Sequence, residues 1–282
     1  MNGRKPKVRR SPRGIASGRI PGPRMARLAA ILLMLSVTLT GCTVMLTPVP
    51  ARTSVDESAD MSTRVAPQIA ATPEDAIAHF LAGLAQADMD QVLAAFAIDE
   101  MSTRSDFSGT LDRMGMLLPV EALAPTSHPF FVEANQAQLI AQATTQVKLI
   151  VYALLTSGTV NGPQPLPMDA AQAAELAAVL DPSRLAALEL LRTGTPQAGM
   201  MASEVYQQQA AMRTALSGAD EFSERVALFS FEGREYYLGL SLLRYGDTWK
   251  ISTLASPLAG TSPDDGAIPT TLEEFSSQFP QE

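Results

Sequence analysis

The sequence predicts an α+β fold with an N-terminal helical hairpin, a helical middle section and a C-terminal three-stranded antiparallel sheet. Apolar residues recur at helical spacing from residue 72 onward, whereas 223–231, 236–244 and 248–254 are rich in β-branched and aromatic residues. A glycine lies between each pair of these runs, at Gly233 and Gly246, where a tight hairpin turn favours it. The three strands are therefore expected to follow one another in one sheet.

The helical hairpin is predicted from its start signals. Thr72 can cap a helix, Pro73 suits its first turn, and Asp75 stands where a capping-box acid reaches back. A break at Ala87 and Asp88 then separates two amphipathic segments. One face of each helix should be buried.

The middle section, residues 98–222, is predicted to be mostly helical. Residues 98–133 are expected to be irregular around one short helix at 111–118, and 134–155 to form a long helix that is too polar to span a membrane. Asp169 should cap a helix that ends near residue 180. Two further helices are expected, one starting at 181–182 with Leu185, Leu188 and Leu191 inward, and one at 200–216 with Val205, Met212 and Leu216 inward and Tyr206 exposed.

Alternation along the first strand assigns its two faces. Ala227, Phe229 and Phe231 should share one face, and Val226 and Leu228 the other. After residue 258 the chain is expected to be a loop-rich tail (259–282), with Thr270 and Glu273 capping a final turn that presents Leu272, Phe275 and Phe279 to the domain.

The N-terminus has the layout of an export signal. Nine basic residues and no acidic ones precede Cys42, and residues 28–39 carry no charge. The closing residues Leu39, Thr40, Gly41 and Cys42 resemble the bacterial lipobox. That resemblance implies cleavage before Cys42 and a diacylglycerol, commonly carrying palmitate, on its thiol. Two alternatives remain: a secretory signal cut elsewhere, and an uncut membrane anchor. A start at Met25 would also leave a complete signal.

These features predict a domain organisation and a cellular location. Residues 1–41 form the signal peptide, 42–71 the lipidated cysteine and a flexible tether, and 72–258 the folded domain with a helical insertion at about 98–222. The domain is expected outside the cell membrane, anchored by lipid. Loss of residues 1–41 shifts the formal charge from −8 to −17, which argues against nucleic acid as a partner. The only cysteine is Cys42, so no disulfide is expected.

Two segments together resemble NTF2-like domains. Residues 72–90 are similar to the opening pair of helices in that family, and residues 242–252, with a Gly-Asp turn before Trp-Lys-Ile, to its closing hairpin. The resemblance implies helices packed on a curved antiparallel sheet, whose open end can hold a ligand. It brings no catalytic residue, because no motif of an enzymatic branch is present.

The residues suited to chemistry are few. His79 and His128 lie far apart, and no zinc, phosphate-cradling or nucleophile motif accompanies them, so no metal or cofactor is expected. A possible pocket is assigned to His79, Tyr236, Tyr237 and Trp249. The leading hypothesis is non-enzymatic binding of a partner protein or a small apolar ligand at the cell envelope. The alternatives are an NTF2-like general acid/base enzyme, and a structural spacer or assembly factor that would expose an apolar patch on its helical section.

Overall fold

A computed structural model describes residues 69–115, 120–156 and 169–279. All described residues belong to one compact unit. The predicted lipobox, Cys42 and residues 43–68 of the tether lie outside the described part.

Nine α-helices and five strands make up the described residues, in a single α+β arrangement. The helices are α1 (Pro73–Ala85), α2 (Met89–Ala94), α3 (Ile98–Arg104), α4 (Phe107–Met114), α5 (Pro129–Leu155), α6 (Ala170–Val179), α7 (Ala198–Met201), α8 (Glu204–Ser217) and α9 (Leu272–Gln278). The strands are β1 (Glu189–Gly194), β2 (Glu221–Phe231), β3 (Arg234–Tyr245), β4 (Thr248–Thr253) and β5 (Ile268–Thr270). Short 3₁₀ turns occupy Pro182–Ala187 and Pro257–Ala259.

The sheet has five strands, so the prediction of three was wrong in number. The predicted strands are present as the consecutive antiparallel β2, β3 and β4. β1 adds to the outer side of β2, and β5 pairs with β3 next to β4. β1 replaces part of a predicted helix, and its Leu191 is exposed rather than inward. The spacing of its apolar residues is compatible with a helix or a strand. It forms a strand because the edge of β2 offers backbone groups to pair with.

Each face of the sheet has its own core, as the alternation in β2 predicted. Ala227, Phe229 and Phe231 pack in the larger core, which α1, α2 and α5 cover. Val226 and Leu228 lie in the smaller core on the opposite face. Both faces of the central strands are therefore dry, and the sheet is the middle layer of the domain.

The helical hairpin is confirmed. Thr72 and Asp75 form the predicted capping box, with bonds of 3.1 and 3.0 Å between each side chain and the other residue's backbone N–H. Ala87 ends the first helix in the left-handed region, at a φ of 53°. The two helices cross closely at Gly83, where an added Cβ would lie 2.9 Å from the Val92 nitrogen.

The middle section contains more helix than expected in its first part and less helix than expected in its last part. Residues 98–114 form α3 and α4, and α5 begins at Pro129, earlier than predicted. The predicted helix at 111–118 instead ends at Met114, because Gly115 takes a left-handed conformation. In α5 the predicted buried face is confirmed, with these residues at most 9% exposed: Leu139, Ala143, Val147, Ile150, Leu154.

The C-terminal segment closes the second face of the sheet. α9 is capped by Thr271 and Glu274, one residue later than predicted. Phe275 and Phe279 are 0% and 1% exposed in the smaller core, while Leu272 is exposed. Residues 259–279 thus contain a strand and a helix that belong to the domain core, where a loop-rich tail was expected.

Candidate functional site: the cleft beneath helix α8

A cleft of about 730 Å³ lies between α8 and the first half of β2. Its walls mix polar and apolar groups, a composition typical of sites that orient a ligand as well as bury it. The lining residues are Thr195, Met201, Ala202, Tyr206, Gln207, Ala210, Ala211, Thr214, Ala215, Asp220, Glu221, Phe222, Ser223 and Arg225. We refer to it as the α8 cleft.

The cleft exists because β1 is shorter than β2. Pairing between the two strands ends at Gly194 and Val226, so residues 221–225 have β3 as their only strand neighbour within the described part of the chain. Helix α8 lies against this stretch. It begins after Ser203, whose hydroxyl accepts a hydrogen bond from the Tyr206 N–H, and ends at Gly218 in a left-handed cap.

Tyr206 is the unusual residue of the α8 cleft. Its side chain is 7% exposed, and its ring lies 6.5 Å from that of Phe222. Its hydroxyl is the only buried side-chain polar atom without a hydrogen-bond partner among the described residues. Burial raises the pKa of Tyr206, and the nearby Glu224 carboxylate raises it further. The phenol therefore stays protonated at neutral pH and can donate a hydrogen bond to a ligand.

Arg225 forms one end of the α8 cleft and is already held in place. Its Nε donates to Glu74 at 2.7 Å, linking β2 to α1, and its Nη1 donates to the Ser223 hydroxyl at 2.5 Å and to the Glu224 carbonyl at 2.9 Å. These bonds fix the guanidinium without burying it completely, since the side chain is 20% exposed.

Glu224 is a buried carboxylate with a structural role. It is 2% exposed and accepts hydrogen bonds from the Ser256 hydroxyl at 2.5 Å and from the Leu258 N–H at 3.1 Å. Thr261 holds the same loop by accepting the Ser256 N–H at 2.7 Å. The Glu224 side chain thus connects the loop after β4 to the sheet, because two donors from that loop bind its oxygen.

The structure does not bring the four residues predicted to share a pocket together in one site. Tyr236 and Trp249 are buried in the larger core, where Tyr236 stacks on Phe229 at 6.0 Å. Tyr237 points to the opposite face and packs on Phe279 at 5.5 Å. The alternation expected for two adjacent tyrosines holds, and it prevents them from lining one cavity together.

The two histidines lie away from the α8 cleft. His79 is half-buried on α1, and no described Asp, Glu or Tyr side chain hydrogen-bonds to its imidazole. His128 precedes α5, and its Nδ1 accepts a hydrogen bond from the Phe130 N–H at 3.1 Å, so it acts as the helix cap. Over residues 69–115, 120–156 and 169–279, no group of three His, Cys, Asp or Glu side chains is arranged to hold a metal ion.

Sequence reasoning assigned Tyr206 to the solvent and Val205 to the core, and the structure reverses both. Val205 is 66% exposed. The face that packs on β2 carries Tyr206, Ala210 and Thr214, spaced by four residues. A signal was available: Ser203 as a cap sets where the helix begins, and small residues one and two turns after an aromatic residue mark a close contact.

A second, more apolar groove lies on the outer side of α5. It has a volume of about 590 Å³ and runs between that helix and residues 263–264. Leu149, Ala153 and Pro263 supply apolar surface, and Tyr152 is 45% exposed. Despite the length of α5, no helix in the described part of the chain is long and apolar enough to cross a membrane.

Comparisons with known proteins found a similar solved structure but no matching family. No family model matches the chain, and neither does any curated protein. Among solved structures, the chain is similar to a cystatin-like protein from Ruminococcus gnavus ATCC 29149, with a TM-score of 0.47 and 17% sequence identity. The match covers 73% of this chain and 42% of that protein, so the chain spans less than half of its length.

Proposed function

We propose that this chain is a lipid-anchored binding protein of the bacterial cell envelope, whose domain holds a ligand in the α8 cleft without transforming it. The buried Tyr206 hydroxyl carries the second half of this proposal. A buried hydroxyl without a partner costs free energy, so its persistence is best explained by a ligand that accepts its hydrogen bond.

The proposed cellular location is based on the N-terminal sequence. The resemblance of Leu39, Thr40, Gly41 and Cys42 to a lipobox supports lipid attachment to the thiol. Two or three acyl chains give a lasting anchor, since each buried CH₂ contributes about 0.8 kcal/mol. The domain then faces the extracytoplasmic side at the end of the tether, and its acidic surface disfavours nucleic acid as a partner.

We also propose that the domain is a variant of the NTF2-like layout. Three local features support this relation: the capping box that opens α1, the left-handed break at Ala87 before α2, and the hairpin between β3 and β4 with Gly246 in its turn. The helices α1, α2 and α5 lie on one face of the sheet, as that layout requires.

Binding suits the chemistry of the α8 cleft better than catalysis. Tyr206 is a proton donor with a raised pKa and so is a poor base at neutral pH. The neighbouring charged groups already have partners, because Arg225 is bound to Glu74 and Glu224 to Ser256. The alternative, a general acid/base enzyme using His79, would need a paired acid or base beside that imidazole.

A partner-binding role as a spacer or assembly factor is the second candidate. The α5 groove favours it, since it leaves apolar surface of the helical section open to solvent. Tyr152→Asp would place a charge in that groove and should abolish association with an envelope complex, measured by sedimentation of the detergent-extracted full chain. An unchanged sedimentation profile would remove this candidate.

One experiment tests both halves of the leading proposal. The full chain is expressed in a bacterial host fed with alkyne-palmitate, extracted in mild detergent, and compared by native mass spectrometry with Cys42→Ala and Tyr206→Phe. We expect the label on the wild type and on Tyr206→Phe but not on Cys42→Ala. A bound ligand mass should be reduced in Tyr206→Phe and retained in Tyr152→Phe, a tyrosine outside the α8 cleft.

An unlabelled wild-type chain would overturn the anchor. A chain that carries no ligand mass sensitive to Tyr206→Phe would overturn the assignment of the α8 cleft.

A further inference from the structure

The first half of β2 presents to the α8 cleft an edge that pairs with no strand among the described residues. β1 pairs with β2 only from Ser230 to Val226, while β2 itself continues to Glu221. Residues 221–225 therefore have a neighbouring strand on one side and the cleft on the other. Backbone N–H and C=O groups along such an edge are a template for one more strand.

We propose that the ligand of the α8 cleft is a short extended peptide that pairs with this edge of β2. The inference rests on the proposed function and names the class of ligand for the same site. A peptide strand meets the requirements of the cleft because its own amides supply the hydrogen-bonding groups that the edge needs.

Tyr206 is the independent observation that points to the same ligand. Tyr206 lines the α8 cleft together with Phe222, Ser223 and Arg225 of β2, and its hydroxyl is buried and has no partner among the described residues. Successive backbone carbonyls of a strand point to opposite sides. A peptide strand paired with β2 therefore also has carbonyl groups that point away from β2. One such carbonyl would take the free O–H of Tyr206.

The dimensions fit a peptide of four or five residues. Five residues of strand extend about 17 Å at about 3.3 Å per residue. The volume of about 730 Å³ lies within the range of pockets that hold small ligands. The helix wall carries Ala210, Ala211 and Ala215, whose small side chains leave room for those of the peptide.

Arg225 and two nearby carboxylates determine which extended peptides the α8 cleft should prefer. The Arg225 guanidinium bonds the Glu224 carbonyl, which can still accept a second hydrogen bond. Asp220 and Glu221 lie at the other end of the cleft, each with one partner, Gly246 N–H and Arg244 respectively. Two carboxylates at one end favour a peptide that carries a lysine at that end.

The test uses the full chain in detergent and a pool of acetylated, amidated pentapeptides made from Thr, Val, Ile, Tyr, Ser and Lys. Peptides retained by the wild type are identified by mass spectrometry, and their affinity is then measured for wild type, Tyr206→Phe and Tyr152→Phe. Amide hydrogen exchange is followed with and without the best peptide. A version of that peptide with alternate N-methylated amides serves as the matched ligand control.

We expect binding that weakens about tenfold in Tyr206→Phe, the effect of losing one buried hydrogen bond, and not in Tyr152→Phe. Exchange should slow about tenfold or more at residues 221–225, whereas residues 226–230, already paired with β1, should not change. One of the two N-methylation patterns should abolish binding, because only one set of amides faces β2.

Peptides that bind with Tyr206 dependence but without protection of 221–225 would overturn strand addition and leave the proposed function standing. The absence of any retained peptide from a chain that still carries a Tyr206-dependent ligand mass would overturn the peptide class alone. If the native chain also carries no such mass, both the proposed function and this inference fail.

Discussion

Replacing Tyr206 by Phe is expected to stabilise the domain in the absence of ligand. The Tyr206 ring is packed against Phe222 and its hydroxyl is buried without a partner among the described residues. Phe keeps the ring and removes only that hydroxyl. An unsatisfied buried polar group costs about 1–3 kcal/mol, so we expect the free energy of unfolding to rise by about 1 kcal/mol or more.

Tyr245→Phe is the matched control, with the opposite expected sign. Tyr245 is also 7% exposed, but its hydroxyl donates a hydrogen bond to the Ser217 carbonyl at 3.0 Å. Removing it breaks a bond and leaves a buried carbonyl with one partner fewer. The free energy of unfolding should therefore fall by about 1 kcal/mol.

The assay is urea unfolding of the ligand-free chain, followed by the fluorescence of Trp249, which is buried in the larger core. The two variants should shift the midpoint in opposite directions with unchanged slopes. For a domain of this size, each kcal/mol corresponds to about 2–4 °C in Tm. If Tyr206→Phe loses as much stability as Tyr245→Phe, the Tyr206 hydroxyl is satisfied in the free protein and the basis for a ligand there is gone.

Three further outcomes follow from particular contacts. Burial raises the pKa of both Tyr206 and Tyr245, so above pH of about 10 the unfolded chain releases protons that the folded chain keeps, and the urea midpoint should fall as pH rises through that range. The fall should be shallower in either Phe variant, and a midpoint independent of pH up to about 11 would contradict the burial of both phenols. Ala87→Gly should stabilise the domain by about 1 kcal/mol, because Ala87 holds a φ of 53° that glycine adopts freely; a loss of thermal stability would show that its methyl group is needed for packing. Asn135→Ala should cost about 2–4 kcal/mol in thermal unfolding, since this 1% exposed amide bonds the Ala124 N–H at 2.7 Å and two carbonyls at 3.0 and 3.3 Å. Gln138→Ala removes a solvent-exposed hydrogen bond from the same helix to the Glu121 carbonyl, at 2.7 Å, and should stay within about 0.5 kcal/mol; equal losses in the two variants would contradict the assignment.

Local signals were sufficient wherever one residue pattern had one outcome. The capping box of Thr72 and Asp75 and the buried face of α5 could be read directly, because caps and helical spacing depend on neighbours in the sequence. The same holds for the alternation of β2, whose two faces enter two different cores.

The elements that were predicted wrongly are those whose residue pattern fits more than one secondary structure or more than one buried face. Residues 189–194 carry leucines that suit a helix or a strand, and they became β1 because β2 had an open edge to pair with. Residues 204–217 were correctly predicted to be helical, but the wrong face of the helix was predicted to be buried. Tyr206 was therefore assigned to the solvent. In a helix with few large apolar residues, the tertiary partner rather than the composition selects the buried face.

The α+β class, the main helices and the central strands could be predicted from the sequence, because they depend on spacing along the chain. The prediction of a lipid at Cys42 came from the resemblance of residues 39–42 to a lipobox. The tertiary structure was needed to show that β1 stops short of the end of β2, that a cleft separates α8 from the remaining stretch of β2, and that the Tyr206 hydroxyl is buried without a partner among the described residues. The physical reason is that a cleft is the space left between elements distant in sequence, and no local pattern records the length difference of two strands that creates it.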